Sequence, residues 1–207
     1  MATTRRITRL NQLDPRAHYT YADYLQWDFP ERVELYKGRV WQLMPGPSRL
    51  HQEVSSRLTE SLVGFIGGSG CRWYAAPFDV RLPVSTTGGT VDTVVQPDIC
   101  IVCDRSKLDR RGCRGAPDWV VEILSPGNSK REMRHKFALY EEAGVPEYWV
   151  AAPTYQYIQQ FTLLASGRYD RGTYFYPGDN LTSSRFPAWT VAVAEVFPEE
   201  MPSSDTD

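Results

Sequence analysis

The run Trp119-Val120-Val121-Glu122-Ile123-Leu124 is apolar at every position but one. A strand sends alternate side chains to opposite faces, so this pattern predicts burial on both, with a carboxylate inside. A buried carboxylate is costly without a partner. A second acid, Asp98, interrupts the equally apolar Val94-Val95-Gln96-Pro97-Asp98-Ile99-Cys100-Ile101, 24 residues earlier, where a neighbouring strand could set it alongside. Two such carboxylates repel unless a cation holds them. A hard divalent ion with oxygen ligands, Mg²⁺ with Mn²⁺ as its substitute, meets that need and catalyses phosphoryl chemistry. The plainer alternative is that each acid pairs with a buried arginine or caps a turn.

An amine follows on a helix. Pro126-Gly127-Asn128-Ser129 reads as a turn into a helix to about Ala143, stopped by Gly144 with Pro146 beyond. Glu132 and Lys136 are four apart on one face, while Met133, Phe137 and Tyr140 mark the buried one. Lys136 is within reach of Glu122, where it could position or deprotonate a water and neutralise developing phosphate charge. The competing reading is a surface ion pair between Glu132 and Lys136, worth a few tenths of a kcal/mol.

The remaining segments predict one α/β domain with a mixed sheet over residues 18–198, after an N-terminal arm (1–17) and before an acidic tail (199–207). Thr20-x-x-Asp23 resembles a capping box before a short helix carrying Tyr24 and Trp27. Val33 to Tyr36 and Arg39 to Leu43 flank Lys37-Gly38, a two-residue hairpin link. After the break at Pro45-Gly46-Pro47, Ser48 caps a helix whose Leu50, Val54, Leu58, Leu62 and Phe65 share a face, ending at Gly67-Gly68. Tyr74 to Pro83, Val94 to Cys103, Asp118 to Ser125 and Glu147 to Ala151 read as strands, with the turn-rich 85–90 and a basic loop from Asp104 to Pro117 between them. Tyr157 to Leu164, Tyr169 to Tyr176 and Thr190 to Phe197 suggest an antiparallel extension.

With 42% hydrophobic and 23% charged residues the 207-residue chain is neither disordered nor a disulfide framework. No run reaches the roughly 20 apolar residues of a membrane span and no signal peptide opens the chain, so a cytoplasmic address is expected. The net charge of −2 conceals a split: five acids and no base follow Thr190, leaving +3 on residues 1–189. Nine bases against five acids lie between Ile101 and Lys136. That zone suits a polyanion such as nucleic acid, although a solvated loop has the same composition. Cys100 and Cys103 form C-x2-C, with Cys113 and Cys71 elsewhere, but positions i and i+3 of a strand face opposite ways, which disfavours zinc. Buried free thiols in a reducing compartment are expected.

Taken together, Glu34-Leu35-Tyr36-Lys37-Gly38, His51, Gln96-Pro97-Asp98-Ile99, Pro117-Asp118 leading into Trp119 to Pro126, and Glu132, Lys136, Tyr140 and Gly144 before Val145-Pro146-Glu147-Tyr148-Trp149-Val150 resemble the Uma-type restriction endonuclease family of the PD-(D/E)xK nuclease superfamily, over roughly residues 19–197. The ordered set is specific where each piece is weak. The resemblance implies a restriction-endonuclease-like mixed central sheet flanked by helices. It also implies that Asp98 and Glu122 bind Mg²⁺, with the Ile123 carbonyl as a further ligand. Glu34 would be a further acidic, metal-adjacent position; His51, Glu132 and Asp79 would be accessory, Asp79 the weaker candidate, and His51 reads equally as a helix-surface or satisfied core histidine. The superfamily's lysine, two residues after its acid, is replaced by Leu124, and Lys136 is the natural substitute.

The leading expectation is therefore a Mg²⁺-dependent endonuclease acting on DNA, with Arg105, Lys107, Arg110, Arg111, Arg114, Lys130 and Arg131 contacting phosphates. Cutting both strands favours a homodimer. The alternative, supported by Leu124, is a silent nucleic-acid-binding or regulatory module that keeps the fold. No G-x-S-x-G, H-E-x-x-H or P-loop motif supports another hydrolase.

Overall fold

The computed structural model describes residues 6–43, 46–84, 88–125 and 130–198, the first three of the last segment by backbone alone. Two prolines organise the architecture. Proline donates no hydrogen bond to a strand ladder, so a run that contains one is interrupted there. The run from Tyr74 to Pro83 breaks at Pro77 into β3 (Arg72–Ala75) and β4 (Val80–Arg81), and the run from Val94 to Cys103 breaks at Pro97 into β5 (Val94–Val95) and β6 (Ile99–Val102). Each break hands the chain between sheets, where one continuous strand is expected from sequence.

The hairpin of β1 (Val33–Tyr36) and β2 (Arg39–Gln42) begins the second sheet. Lys37 and Gly38, with φ of 47° and 76°, make the turn that pairs Tyr36 with Arg39. Gly38 is needed there also because a Cβ would collide with the His18 ring. The residues between Asp104 and Pro117, expected as a loop, instead form a further hairpin of β7 (Leu108–Asp109) and β8 (Gly112–Arg114). This sheet runs β2-β1-β5-β4-β8-β7.

The central sheet adds β9 (Trp119–Ile123), β10 (Glu147–Ala152), β11 (Tyr157–Thr162) and β12 (Thr173–Phe175) in the order β12-β11-β10-β9-β6-β3. Among the described residues β9 and β10 are its one parallel pair, joined through α3 (Lys130–Ala143). β13 (Asn180–Thr182) pairs with β14 (Thr190–Ala192). The stretch from Thr190 to Phe197, expected as one strand, turns after Ala192 into α4 (Val193–Val196).

The central sheet is covered on both faces. Ile99, Ile101, Trp119, Val121, Trp149 and Ala151 pack under Val54, Leu58 and Leu62 of α2 (Arg49–Ile66). Cys100, Val120, Tyr148 and Val150 pack with Leu139 and Tyr140 of α3 and with Val80 and Val95 of the second sheet. Ser48 caps α2 by accepting from the His51 amide, and Thr20 and Asp23 bond reciprocally across α1 (Tyr21–Tyr24). The stretch read as an arm is tied in from residue 6 onward: Ile7 bridges Trp27 and Leu13 is buried.

The expectation of four free thiols is overturned. One step beyond the Arg72 to Val102 pair, the β3/β6 register sets Cys71 opposite Cys103, and the two are disulfide-bonded with their Cα atoms 3.9 Å apart. Cys100 and Cys113 are the buried free thiols, and the thiol premise for a reducing compartment is lost. No helix among the described residues is long and apolar enough to cross a membrane. The tail 199–207, the breaks at Pro45 and 85–87, and the turn Pro126 to Ser129 lie outside the described residues.

Candidate active site

Asp98 occupies the position after the Pro97 break, one step before the Ile99 to Val121 pair of β6 and β9. The antiparallel register therefore brings it beside the Glu122–Ile123 end of β9. Oδ2 of Asp98 accepts from the Ile123 amide at 2.7 Å, and its Oδ1 lies 3.2 Å from Nε2 of His51 on α2. Nδ1 of His51 is buried without a partner.

Glu122 points with Val120 to the α3 face. Tyr140 donates its hydroxyl to Glu122 Oε1 at 2.5 Å, and Lys136 Nζ lies 3.1 Å from the same oxygen. Lys136 also donates to Glu34 Oε1 on β1 at 2.6 Å, and that oxygen accepts from the Gln96 amide at 2.6 Å. One ammonium thus joins the two sheets, and Lys136, Glu122, Glu34 and Gln96 line a cavity of about 200 Å³ with Ile123, Asp98 and His51. The surface-pair reading of Lys136 with Glu132 has no support in these partners, and the Glu132 side chain lies outside the described residues.

The electrostatics follow from that enclosure. Burial pushes the Glu122 carboxyl up to about 7; Lys136 pulls it back, while Asp98 and Glu34 push it further. For Lys136 burial acts downward, but Glu122 and Glu34 outweigh it and hold the amine above its ordinary value. Leu124, standing where the superfamily lysine would, packs against the core and donates its amide to Ala151.

Asp79 is not part of this cavity. It sits just before β4 and accepts from Tyr21, Tyr24 and the Gln96 side chain, at 3.4, 3.3 and 3.0 Å. Sequence reasoning passed over Gln96, whose amide holds Glu34 and whose side-chain oxygen accepts from Arg32 at 2.9 Å, and over Tyr140 as a partner of Glu122. Tyr140 lies one helical turn after Lys136, a spacing that could have signalled it.

The basic set is divided. Lys107 donates to the Ala116 carbonyl at 2.8 Å, while Arg105, Arg110, Arg111 and Arg114 are exposed. None of them lines the carboxylate cavity, and the side chains of Lys130 and Arg131 lie outside the described residues.

Known proteins share the fold and the sequence pattern of this chain. A crystal structure from Anabaena variabilis, described as "a putative nuclease belonging to DUF820", superimposes with a TM-score of 0.68 at 19% identity, covering 86% of this chain and 97% of that one. An uncharacterized protein of Synechocystis sp. is 30% identical over 122 residues, which are 57% of this chain and 60% of that relative's length. A family model described as "Putative restriction endonuclease" matches residues 21–194, so the chain belongs to the Uma2 family.

Proposed function

We propose that the protein is a Mg²⁺-dependent endonuclease that hydrolyses phosphodiester bonds of DNA. The observation that carries this reading is that Asp98, Glu122 and Lys136 line one cavity, with Lys136 3.1 Å from Glu122. Two carboxylates in one cavity, with Asp98 raising the proton affinity of Glu122, are a donor set suited to a cation, and hard oxygens suit Mg²⁺ with Mn²⁺ as its substitute. Among the described residues no three His, Cys, Asp or Glu side chains cluster to cage a metal, which is compatible with an ion completed by water and substrate phosphate.

Asp98, Glu122 and the Ile123 carbonyl would hold the ion, which when bound supplies Lewis-acid polarisation of a phosphoryl oxygen. The protein's own groups position the rest. Lys136, kept cationic by its two carboxylates, stabilises charge on the phosphorus oxygens and orients water instead of accepting a proton. Glu34 and Gln96 anchor that amine, Tyr140 fixes Glu122, and His51 with the Ile123 amide fixes Asp98. Exposed Arg105, Arg110, Arg111 and Arg114 contact strand phosphates. Cutting both strands with one such centre per chain calls for two copies about a two-fold axis.

One observation favours a second reading: Leu124 is spent on the core and Lys136 on two carboxylates, as in a silent DNA-binding module. Incubation of supercoiled, linear and single-stranded DNA with Mg²⁺ or Mn²⁺ at low salt separates the two. Metal-dependent cleavage that disappears in Asp98→Ala and Glu122→Ala is expected. Binding without cleavage under either ion, in wild type and variants alike, would establish the silent module.

A further inference from the structure

Leu35, Val94 and Arg81 are successive Cα partners across β1, β5 and β4, so their side chains share a face of the second sheet. Leu35 and Val94 pack there against Tyr21 of α1. Glu34, the neighbour of Leu35, points to the opposite face, where it meets Lys136. Arg81 therefore lies across the sheet from the carboxylate centre.

Arg81 is a fixed cation. It is 8% exposed, its Nη2 donates to Asp109 Oδ1 at 2.7 Å, its Nε donates to the Cys113 carbonyl at 3.2 Å, and its Cζ lies 5.1 Å from the centre of the Tyr21 ring. It stands in an open cleft of about 1000 Å³ between the β7/β8 hairpin and residues 89–91. Arg110, Arg111 and Arg114 rise exposed around the same cleft, and no residue lining it lines the carboxylate cavity.

Four guanidinium groups share this concavity with one acid, Asp109, in a chain whose net charge is −2. Like charges gathered on one cleft repel, and Asp109 offsets only one of them. Phosphate oxygens match both the charge and the planar fork of the guanidinium group. A rigid arginine at the base with exposed ones at the rim is suited to grip phosphates as they arrive.

We infer that this cleft is a phosphate-binding site for nucleotides, separate from the carboxylate centre. Its ligand is the phosphate oxyanion, carried by a nucleic-acid strand or by a free nucleotide. The strand source rests on the nuclease reading above and deepens it, assigning a grip on the substrate away from the bond that is cut. The free-nucleotide source stands without it.

The test is binding in EDTA, where no cleavage intervenes. A fluorescein-labelled single-stranded oligonucleotide is titrated by anisotropy across a salt series, and inorganic triphosphate is titrated by calorimetry. Proteins compared are wild type, Arg111→Ala/Arg114→Ala, and Arg168→Ala, which removes a distant exposed cation. Arg111 and Arg114 are exposed, so melting temperature is expected to hold.

If a strand is the ligand, the double variant binds the oligonucleotide at least ~10-fold more weakly, and its salt slope falls by about 1.4, the share of two phosphate contacts to a single strand. Arg168→Ala leaves both unchanged. If a free nucleotide is the ligand, triphosphate binding is lost in the double variant while oligonucleotide binding stays. Unchanged binding of both probes in the double variant overturns the proposal. Failure of wild type to cleave DNA would sink the nuclease reading and the cleft's role as a grip on a cut strand, while loss of probe binding in the double variant would still establish the phosphate site.

Discussion

Lys136 on α3 and Glu34 on β1, 102 residues apart in the chain, meet at 2.6 Å, and this contact fastens the second sheet to the helix that covers the first. With Glu122 at 3.1 Å the ammonium is shared between two carboxylates, so its removal leaves both without their cation.

Lys136→Ala is accordingly expected to cost about 3–5 kcal/mol of stability at pH 8, the scale for breaking a buried ion pair from one side. Cleavage is expected to fall by about 10²–10⁴ under conditions where the variant is folded. Urea unfolding paired with single-turnover cleavage checks both; an unchanged rate in folded protein would remove Lys136 from the chemistry.

Glu122 makes stability depend on pH in a defined direction. Its carboxyl is held near 7 by burial against 4.5 for the ordinary group, so between those values the unfolded chain gives up the proton first. Stability from this group is complete below about pH 4.5 and is lost as pH rises through 7, by about 3 kcal/mol at pH 8. Lys136, raised above 10.5, contributes evenly across that window. Glu122→Gln should lose this component of the decline, and Mg²⁺ should raise the melting temperature of wild type at pH 8 and not that of the variant. Parallel unfolding curves for the two proteins at pH 5 and 8 would refute it.

These site acids are legible in sequence because each interrupts an apolar run, and their meeting in one cavity follows from both runs lying on neighbouring strands. Beyond the β1/β2 hairpin the second sheet is not legible, since β4, β5 and β7 are two residues each and carry no period to read. What the sequence does hold is the pair of prolines at 77 and 97, which divide two apparent strands between sheets. Glu34 is visible only by resemblance: on a short hairpin strand its burial depends on a helix a hundred residues later. Arg81 is hidden for the same reason, one arginine on a two-residue strand whose neighbours come from another hairpin.

Glu147 should be the costliest single polar substitution outside the site. Fully buried, it accepts from Trp149 Nε1 at 2.6 Å, Gln160 Nε2 at 2.5 Å, Ser183 Oγ at 2.6 Å and the Arg185 amide at 2.8 Å, tying β10 to the turn before β14. Glu147→Ala strands these donors away from water and is expected to cost about 4 kcal/mol or more, against about 1–2 for Ser183→Ala. Midpoints of urea unfolding for the two variants check the ranking.

Reduction of the Cys71 to Cys103 bond should weaken the fold without changing its architecture. The bond closes a loop with a sequence separation of 32, for which the chain-entropy relation gives about 3–4 kcal/mol of stabilisation through the unfolded state. It lies where β6 leaves the sheet, while Asp98 is held at the other end of β6 by the Ile123 amide. Reductant is therefore expected to lower the urea midpoint of wild type and to leave Cys71→Ser/Cys103→Ser unmoved at the lower value, with metal-dependent melting shifts retained in both. Cys100 and Cys113, buried and pushed up in pKa by burial, should stay unreactive to thiol reagents until unfolding. Labelling of four thiols in the unfolded, unreduced chain would show that the bond does not form.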